Sequence, residues 1–543
     1  MSRGEGGDPG AAVVFRGATV VDGTGAERYR ADVRIAGGLI TDIGAGPAGG
    51  RTVDADGLVL APGFIDMHAH SDLALLLEPE HPAKVTQGVT CEVLGQDGLS
   101  YAPVDDRTLP ALRRQLAGWN GDPADLDWDW RDVGGYLDRL DRTGVAVNAC
   151  YLVPHGSLRA LAMGWSDRRP TPSELDRMRQ ELARGLLAGA VGMSSGLSYT
   201  PGMYADTAEL VDLCTVVAAY GGFHAPHQRS YGAGALEGYA EMVEISRRSG
   251  CGLHLTHATM NFGVNAGRAG ELLDLVDAAL ADGVDLTLDS YPYLPGSTTL
   301  AALLPSWATE GGPAATLARL ADPAACERIR HAVEETGSDG CHGVVADWAT
   351  IQVSGVRTAG LAGAIGRTVA ELAVERGCGG ADVFLDLLRR DELGTTVLQH
   401  VGHEENVRAI MRHPAHTVGS DGLLVGGRPH PRAWGTFPRY LGHYSRELGV
   451  LTLEETVARM TGRPAARLGL HRRGRIAPGY HADLVLFDPE RVRDAATFER
   501  PRMPAEGIEH VCVNGAAVVR QGRTTGARPG RALRRTDRGT RAL

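Results

Sequence analysis

The chain has 543 residues, of which 43% are hydrophobic and 22% are charged, and its formal net charge is −11. It is long enough for a barrel domain of about 250–400 residues and a second, smaller unit, and its composition excludes a wholly disordered chain. Because phosphate backbones bind basic surfaces, the negative charge also argues against nucleic acid as the main partner.

The N-terminus is polar and rich in glycine, unlike a secretory signal. No run approaches the ~18 consecutive apolar residues that a membrane span requires. The eight cysteines are scattered without CxxC pairs, which is typical of reduced thiols rather than of a disulfide scaffold. These features predict a cytoplasmic protein without a membrane partner.

The two ends of the chain resemble each other in pattern. Residues 11–61 are short apolar runs separated by glycine pairs, as in ADVRIAGGLITDIG, and this alternation is typical of β-hairpins. The same texture returns in APGYHADLVLFDP and HVCVNGAAVVRQG. We therefore predict that residues 1–62 and 470–522 pair into one small β-sandwich domain.

The middle of the chain, residues 63–469, alternates between strand-like and helix-like segments. Helical stretches such as SELDRMRQELARGLLAG separate most of the short apolar runs, which read as parallel strands buried on both faces. This α/β alternation, repeated about eight times, predicts a (β/α)8 TIM-like barrel. The predicted strands are 63–70, 89–95, 144–153, 190–197, 221–227, 251–257, 284–293 and 416–421. A ninth candidate, 395–400, leaves the strand count open by one.

Residues 294–394 lack this alternation. Long insertions after a barrel strand usually cover the active site, so this stretch is predicted to form a lid over the C-terminal face of the barrel.

The last segment, residues 523–543, carries seven arginines among glycine, threonine and proline. It could act as a nucleic-acid arm or as a solvated, disordered terminus, and the second interpretation is predicted.

Two histidines, His68 and His70, close the first predicted barrel strand in GFIDMHAH. Alternate residues of a strand point the same way, so both imidazoles can reach one metal ion. Catalytic residues of such barrels lie at the C-terminal ends of the strands, and both histidines have that position.

Three further ligand-type residues end later strands: His227 in HAPHQR, His257 in LHLTHAT and Asp421 in VGSDG. A single buried histidine is more often a hydrogen-bonded core residue, and that interpretation is preferred for His224, His254, His400 and His403. Five ligands at one end of successive strands instead predict a site for zinc or a similar divalent metal.

Taken together, these motifs resemble the amidohydrolase superfamily and, within it, the D-aminoacylases, also called N-acyl-D-amino-acid deacylases. The resemblance extends over almost the whole chain up to the arginine-rich tail. It rests on APGFIDMHAHSD, GLSYTPGMYAD, HQR, SYPYLPGSTTL, LLPSWATEGG, VGSDG, HPRAWGTFPRYLG and APGYHADLVLFDP. It implies zinc-dependent hydrolysis of an N-acyl-D-amino acid to a carboxylate and a free D-amino acid.

The resemblance also implies a site for one or two zinc ions. His68, His70 and Asp421 would surround one position, and His227 and His257 would hold the other. The family completes the tighter position with a cysteine in a Gly-Asn-Cys-Gly segment, where this chain has Gly-Gln-Asp-Gly and therefore Asp97. Cys91, six residues earlier, is the alternative ligand, and Asp97 is preferred because its loop spacing from His70 matches.

The resemblance also assigns catalytic and substrate-binding roles to residues of this chain that match the family motifs. Asp421 would accept a proton from the zinc-activated water and deliver it to the leaving amine. Arg432 resembles the arginine that pairs with the substrate α-carboxylate, and Tyr291 the tyrosine that assists it. Tyr199 either lines the pocket or is a core aromatic. Ser297 and Thr298 are also expected to contact the small-molecule substrate.

The chain departs from the family pattern at one substrate position. A lysine commonly follows two residues after the histidine that corresponds to His257, but this chain has Thr259. The missing contact would be supplied elsewhere, with Arg229 as a candidate. Apolar residues after Thr299 predict an apolar substrate side chain rather than that of D-Asp or D-Glu.

Two alternatives are weighed against deacylation of N-acyl-D-amino acids. A related amidohydrolase acting on a dipeptide or a cyclic amide would share the metal site. Many such enzymes bridge two metals with a carboxylated lysine from a later strand, and the only lysine of this chain, Lys84, precedes the second strand. A non-catalytic barrel binding protein is disfavoured because the ligand set is complete. The oligomeric state is left open.

Overall fold

The computed structural model describes residues 12–47, 49–536 and 539–541. The first residues of the predicted N-terminal domain and the last residues of the predicted tail therefore lie outside the described part of the chain.

Eight parallel strands form a closed barrel, and each coincides with one of the eight apolar runs predicted from the sequence, although the third strand ends one residue beyond its run, at Pro154. Neighbouring strands pair in parallel from the first to the eighth. The ring closes where the backbone N–H of Met67, after the first strand, donates to the carbonyl of Val418 in the eighth, at 3.1 Å. The predicted barrel is confirmed. Its strands are Phe64–Asp66, Val89–Leu94, Asn148–Pro154, Gly192–Gly196, Phe223–His227, Gly252–Leu255, Leu286–Ser290 and His416–Val418.

Helices connect the barrel strands and cover the outside of the barrel. The helix Pro172–Leu187 shows how the sequence sets its limits: Pro172 occupies the first turn, and Thr171 and Glu174 form a reciprocal capping box. The other helices of the barrel domain are Ala74–Leu77, Pro82–Val85, Leu109–Gln115, Ala117–Asn120, Val133–Thr143, His155–Met163, Thr207–Ala219, Ala235–Ser249, Ala269–Ala281, Glu404–Arg412, Arg432–Arg439, Leu453–Met460 and Gly462–Arg467.

Strands from both ends of the chain join in one nine-stranded sheet beside the barrel. The junction is the antiparallel pairing of Val59–Pro62 with Leu484–Phe487. Apolar side chains such as Phe15, Ile35 and Leu484 form one buried cluster on this sheet. The other strands are Val13–Val20, Tyr29–Ala36, Leu39–Gly44, Arg51–Asp54, Ile508–Val513, Ala516–Arg520 and Arg523–Thr524.

The stretch after the seventh barrel strand has its own small sheet and its own apolar core. The strands Gly296–Thr299 and Ile351–Gly355 both pair antiparallel with Thr396–Gln399. The ninth strand candidate, 395–400, therefore belongs to this insertion and not to the barrel. Helices Pro313–Leu320, Pro323–His331, Val369–Arg376 and Gly380–Arg390 pack against the sheet.

The prediction of a disordered tail is wrong for residues 523–536. The side chain of Leu533 is fully buried in the apolar interior of the barrel, among residues such as Ile65 and Cys150. Arg534 is held by Asp138 at 2.8 Å and by Asp141 at 2.7 Å. Arg534, predicted to be solvated, instead pairs with acidic groups of the barrel helix Val133–Thr143. The backbone N–H groups of Gly530 and Leu533 donate to the carbonyls of Val145 and Ala149, at the start of the third strand, so the segment packs at the barrel end opposite the histidines. Strand Arg534–Thr536 also pairs with Gly539–Arg541.

Among the described residues, no helix is both long and apolar enough to cross a membrane.

Candidate metal centre

The predicted ligands lie at the C-terminal ends of five barrel strands, where a closed barrel brings them together. His68 and His70 follow the first strand and Asp97 the second. The others are His227 at the end of the fifth strand, His257 two residues after the sixth and Asp421 three residues after the eighth. All six are buried.

The first group comprises His68, His70, Asp97 and Asp421, whose ligand atoms all lie within 4.8 Å of one another. The Nε2 atoms of His68 and His70 are 3.3 Å apart. Asp97 Oδ1 lies 3.4 Å from His68 Nε2, and Asp97 Oδ2 lies 3.4 Å from His70 Nε2. Asp421 Oδ1 lies 3.2 Å from His70 Nε2 and 3.7 Å from His68 Nε2.

The second group comprises Asp97, His227 and His257. His227 Nδ1 lies 3.0 Å from His257 Nε2, and Asp97 lies 3.7 Å from the former and 3.4 Å from the latter nitrogen. Asp97 therefore belongs to both groups and joins them. Cys91 lies lower, in the buried interior of the barrel beside Val93 and Cys150, and is not part of either group.

These separations fit metal ligation. Two ligand atoms bound tetrahedrally at ~2.0–2.1 Å from one ion lie about 3.3 Å apart. One buried ligand atom of the site, Asp97 Oδ1, also lacks a hydrogen-bond partner among the described residues. Four imidazoles and two carboxylates without a thiolate are a suitable donor set for zinc or a similar divalent ion.

Three of these residues are held in strained backbone. The φ angles of Asp97, His257 and Asp421 are 53°, 32° and 48°. Residues other than glycine rarely adopt a positive φ. Such a strained backbone persists where the surrounding contacts hold it in place, often at functional sites. The backbone of Asp421 is fixed by its N–H, which donates to the carbonyl of His68 at 2.8 Å.

The charges of the site keep both carboxylates ionised. Burial alone raises the pKa of Asp97, but the neighbouring His68 and His257 outweigh it, and its pKa lies well below the usual range. Burial opposes ionisation of Asp421 in the same way, yet Arg432 and then His68 lower its pKa. The pair is therefore available as anionic ligands.

Asp289, at the end of the seventh strand, supports the ligands and was missed by the sequence analysis. Its Oδ1 accepts from the backbone N–H of His257 at 2.9 Å, and its Oδ2 pairs with His254 at 2.9 Å. The same Oδ2 lies 3.9 Å from His68 Nδ1. Carboxylates behind a histidine ligand fix the ring and its tautomer. The sequence did carry a signal for Asp289: it is an aspartate near the end of a predicted strand, a position similar to that of Asp421, which follows the eighth strand.

Arg432 is fully buried beside the metal ligands. Its Nη2 lies 2.8 Å from Asp421 Oδ2 and 3.5 Å from the carbonyl of Ser297, while its Nε and Nη1 have no hydrogen-bond partner in the described part of the chain. Its guanidinium carbon stands 4.3 Å from the ring centroid of Tyr291. Burial raises the pKa of Tyr291 to about 12, so this phenol stays protonated.

The predicted contact residues Tyr199, Ser297 and Thr298 line one cavity with the metal ligands. Its free space, including the open mouth, is about 720 Å³. The ring of Tyr199 lies 4.6 Å from that of His227, and its hydroxyl lies 3.0 Å from Thr298 Oγ1. Tyr199 is therefore a pocket residue.

The insertion contributes part of the cavity wall. Ala302, Leu303 and His342 line it together with Thr259 of the barrel. Arg229 does not replace the family lysine, because its guanidinium is bound to Glu241 at 2.6 and 3.0 Å and to the carbonyl of Ala205.

A profile of the amidohydrolase family matches residues 51–519. A D-aminoacylase from Alcaligenes xylosoxydans xylosoxydans is 36% identical over 96% of this chain and 98% of the relative. The chain belongs to the amidohydrolase family. An N-acyl-D-glutamate deacylase from the same organism is 38% identical to this amidohydrolase, over 96% of each chain.

A crystal structure of N-acyl-D-glutamate deacylase from Bordetella bronchiseptica superposes on this amidohydrolase with a TM-score of 0.83. The two chains are 34% identical, and the match covers 96% of this chain and 99% of the other. That structure contains zinc and a phosphonate inhibitor that mimics the tetrahedral intermediate of the reaction.

Proposed function

We propose that this amidohydrolase is a zinc-dependent N-acyl-D-amino-acid deacylase. It would hydrolyse the amide bond and release a carboxylate and a free D-amino acid. The observation that carries this proposal is the partly unpaired guanidinium of Arg432, which is buried within contact distance of Asp421.

An unpaired buried guanidinium is costly, so its free N–H groups mark where an anionic substrate group binds. Nη1 keeps free N–H groups, and a carboxylate can accept a charge-assisted hydrogen bond from it while Nη2 holds Asp421. An α-carboxylate at Arg432 leaves the neighbouring amide beside Asp421. The deacylases among its relatives act on substrates of this kind, as their names state.

Zinc, when bound by the six ligands, would lower the pKa of water and polarise the carbonyl of the amide. The side chains of the protein transfer the protons and position the substrate. Asp421 is placed to accept the proton of the attacking water and to return it to the leaving nitrogen, since Arg432 fixes its Oδ2 and leaves Oδ1 directed at the metal ligands. Buried walls exclude other water from the reacting atoms.

We further propose that the substrate has a neutral side chain. Among the described residues that line the cavity there is no arginine or lysine, and Arg432, beside Tyr291 and Ser297 of the wall, is assigned to the α-carboxylate, so no second cation is left for a side-chain carboxylate. Apolar residues such as Phe262, Leu303 and Leu423 take part in the lining. The only lysine, Lys84, is fully buried elsewhere. Identities of 36% and 38% to relatives of different substrate names do not distinguish the substrates, so this proposal rests on the cavity lining.

The position of Lys84 also bears on the alternative reactions. Its amine is bound to Asp66 and Glu92 beneath the site, so it is not placed as a carboxylated bridge between two metals. This disfavours a hydantoinase-like or dihydroorotase-like reaction on cyclic amides.

The test is hydrolysis of N-acetyl-D-leucine, N-acetyl-L-leucine and N-acetyl-D-glutamate by zinc-loaded protein. We expect the D-leucine derivative to have the highest kcat/KM, at least tenfold above the other two, since an unpaired carboxylate in this cavity costs more than a methylene. Preference for the glutamate derivative would contradict the neutral side chain, and preference for the L-enantiomer would contradict the stereochemistry.

We propose a cytoplasmic location as well. All eight cysteines are free thiols, and seven of them are wholly or partly buried. Free thiols are usual in proteins of reducing compartments. Cell fractionation with an antibody against the protein tests this.

A further inference from the structure

A second chamber opens beside the metal cavity, behind the ring of Tyr199. Ser198, Tyr199 and Ala302 line both spaces, so the two adjoin at these side chains. Its free space, including its mouth, is about 580 Å³, and its other walls include Trp165, Met203, Leu304 and Leu393. Nothing in the reaction described above uses this chamber.

The walls of the chamber are suited to an apolar occupant. None of the described residues that line it is charged. Its polar side chains already bind one another or the backbone: Gln115 accepts from Trp165 at 2.9 Å and donates to the carbonyl of Thr200 at 2.6 Å. Thr309 and Thr316 donate to carbonyls of their own helices or turns at 2.9 and 3.1 Å. A polar ligand would find few free hydrogen-bond partners in the chamber, whereas an apolar ligand has no hydrogen bonds to water to give up on entering.

The chamber lies on the side of the metal ligands opposite Arg432. Tyr199 follows the fourth barrel strand, and Arg432 lies beyond the eighth, so half of the closed ring separates them. In a trans amide the acyl chain and the amino-acid carbon extend in opposite directions from the C–N bond. A substrate with its α-carboxylate at Arg432 and its carbonyl at the metal ligands therefore directs its acyl chain towards Tyr199.

Another cleft, lined by Phe262, Val264, Val345 and Gln399, also adjoins the metal cavity. It shares Phe262, Leu303, Gln399 and Val401 with the metal cavity, but none of its described lining residues belongs to the chamber behind Tyr199. This cleft therefore serves as an internal control.

We propose that the chamber behind Tyr199 binds the aliphatic acyl chain of the substrate, so that acyl groups longer than acetyl are preferred. The proposal rests on the proposed deacylase function and adds the acyl class to it. Each buried methylene contributes about fourfold to binding when it is fully removed from water.

The experiment compares N-acetyl-, N-butanoyl- and N-hexanoyl-D-leucine with the zinc-loaded wild type and two matched variants. Ala301 lines only the acyl chamber and Ala346 only the control cleft, and both are half-buried. Ala301→Leu fills the first space and Ala346→Leu the second with the same added atoms. Met203→Phe is a second way to fill the chamber if Ala301→Leu does not fold.

In the wild type we expect kcat/KM for the hexanoyl substrate to exceed that for the acetyl substrate by at least about tenfold, well below the ~250-fold that full burial of four methylenes would give. Ala301→Leu should reduce this ratio at least fivefold, and Ala346→Leu should keep it. A wild-type ratio near one, or a loss of the ratio in Ala346→Leu instead, would overturn the acyl assignment while acetyl hydrolysis still supports the deacylase. Inactivity towards all three substrates would overturn both.

Discussion

The amine of Lys84 lies 2.5 Å from Asp66 Oδ2, and both side chains are fully buried directly beneath the metal ligands. The other oxygen of Asp66 accepts from the backbone N–H groups of His68 at 3.2 Å and Ser420 at 2.8 Å. Lys84 also lies 3.0 Å from Glu92 on the second strand. This ion cluster joins the first, second and eighth strands, which carry four of the six ligands.

Lys84→Met should therefore destabilise the protein by about 3–5 kcal/mol, because it leaves buried carboxylates without a cation. Chemical denaturation of zinc-free protein measures this. Arg142→Met is the matched control, since it removes a cation from Asp129 at the surface and should cost less than about 1 kcal/mol. Equal effects of the two substitutions would show that the buried cluster has no special role.

Asp97→Ala should lose metal that Cys91→Ala retains. Asp97 is shared by both ligand groups, whereas Cys91 packs in the barrel interior. Since loss of even outer-shell partners weakens metal sites by about 10–100-fold, loss of this ligand should lower zinc affinity more than about a hundredfold. Competition with a chromophoric chelator measures the affinity, and complete chelation should abolish amide hydrolysis. Zinc loss in Cys91→Ala with retention in Asp97→Ala would show that the ligand is the cysteine.

Arg432→Ala should lower kcat/KM for N-acetyl-D-leucine by about a hundredfold or more, in line with the ~2–5 kcal/mol cost of breaking a buried charge pair. The wild type should also discriminate strongly against the carboxamide of this substrate, and the variant should not. Because the variant also removes the partner of Asp421, its zinc content must be measured in parallel. A variant that still prefers the free acid as strongly as the wild type would assign the carboxylate to another residue.

Leu533→Ala should cost about 2–5 kcal/mol of stability, as for other large-to-small substitutions in a core. The side chain of Leu533 is fully buried, whereas that of Leu187 is 71% exposed. Leu187→Ala should therefore change the stability of the protein little. Thermal unfolding of the two variants provides the comparison. If Leu533→Ala were as stable as the wild type, residues 523–536 would not be an integral part of the barrel domain.

The barrel and most of its ligands could be predicted from the sequence because their signals are local. Alternation of buried apolar runs with amphipathic segments is a short-range pattern, and it located all eight barrel strands. A histidine at the end of such a run must lie at the C-terminal face of the barrel. The sequence therefore predicted that His68, His227 and His257 lie close together.

Other features depended on contacts between residues far apart in the chain. The run 395–400 has the same local pattern as a barrel strand, and only its pairing with Gly296–Thr299 assigns it to the insertion. The tail is arginine-rich, yet Leu533 enters the barrel and Arg534 meets acidic partners almost 400 residues earlier in the chain. Asp289, Lys84 and the shared position of Asp97 likewise depend on which strands become neighbours. Composition and periodicity describe single segments, so they determined the architecture and the kind of site, whereas the pairing of buried charges was decided by the closed barrel.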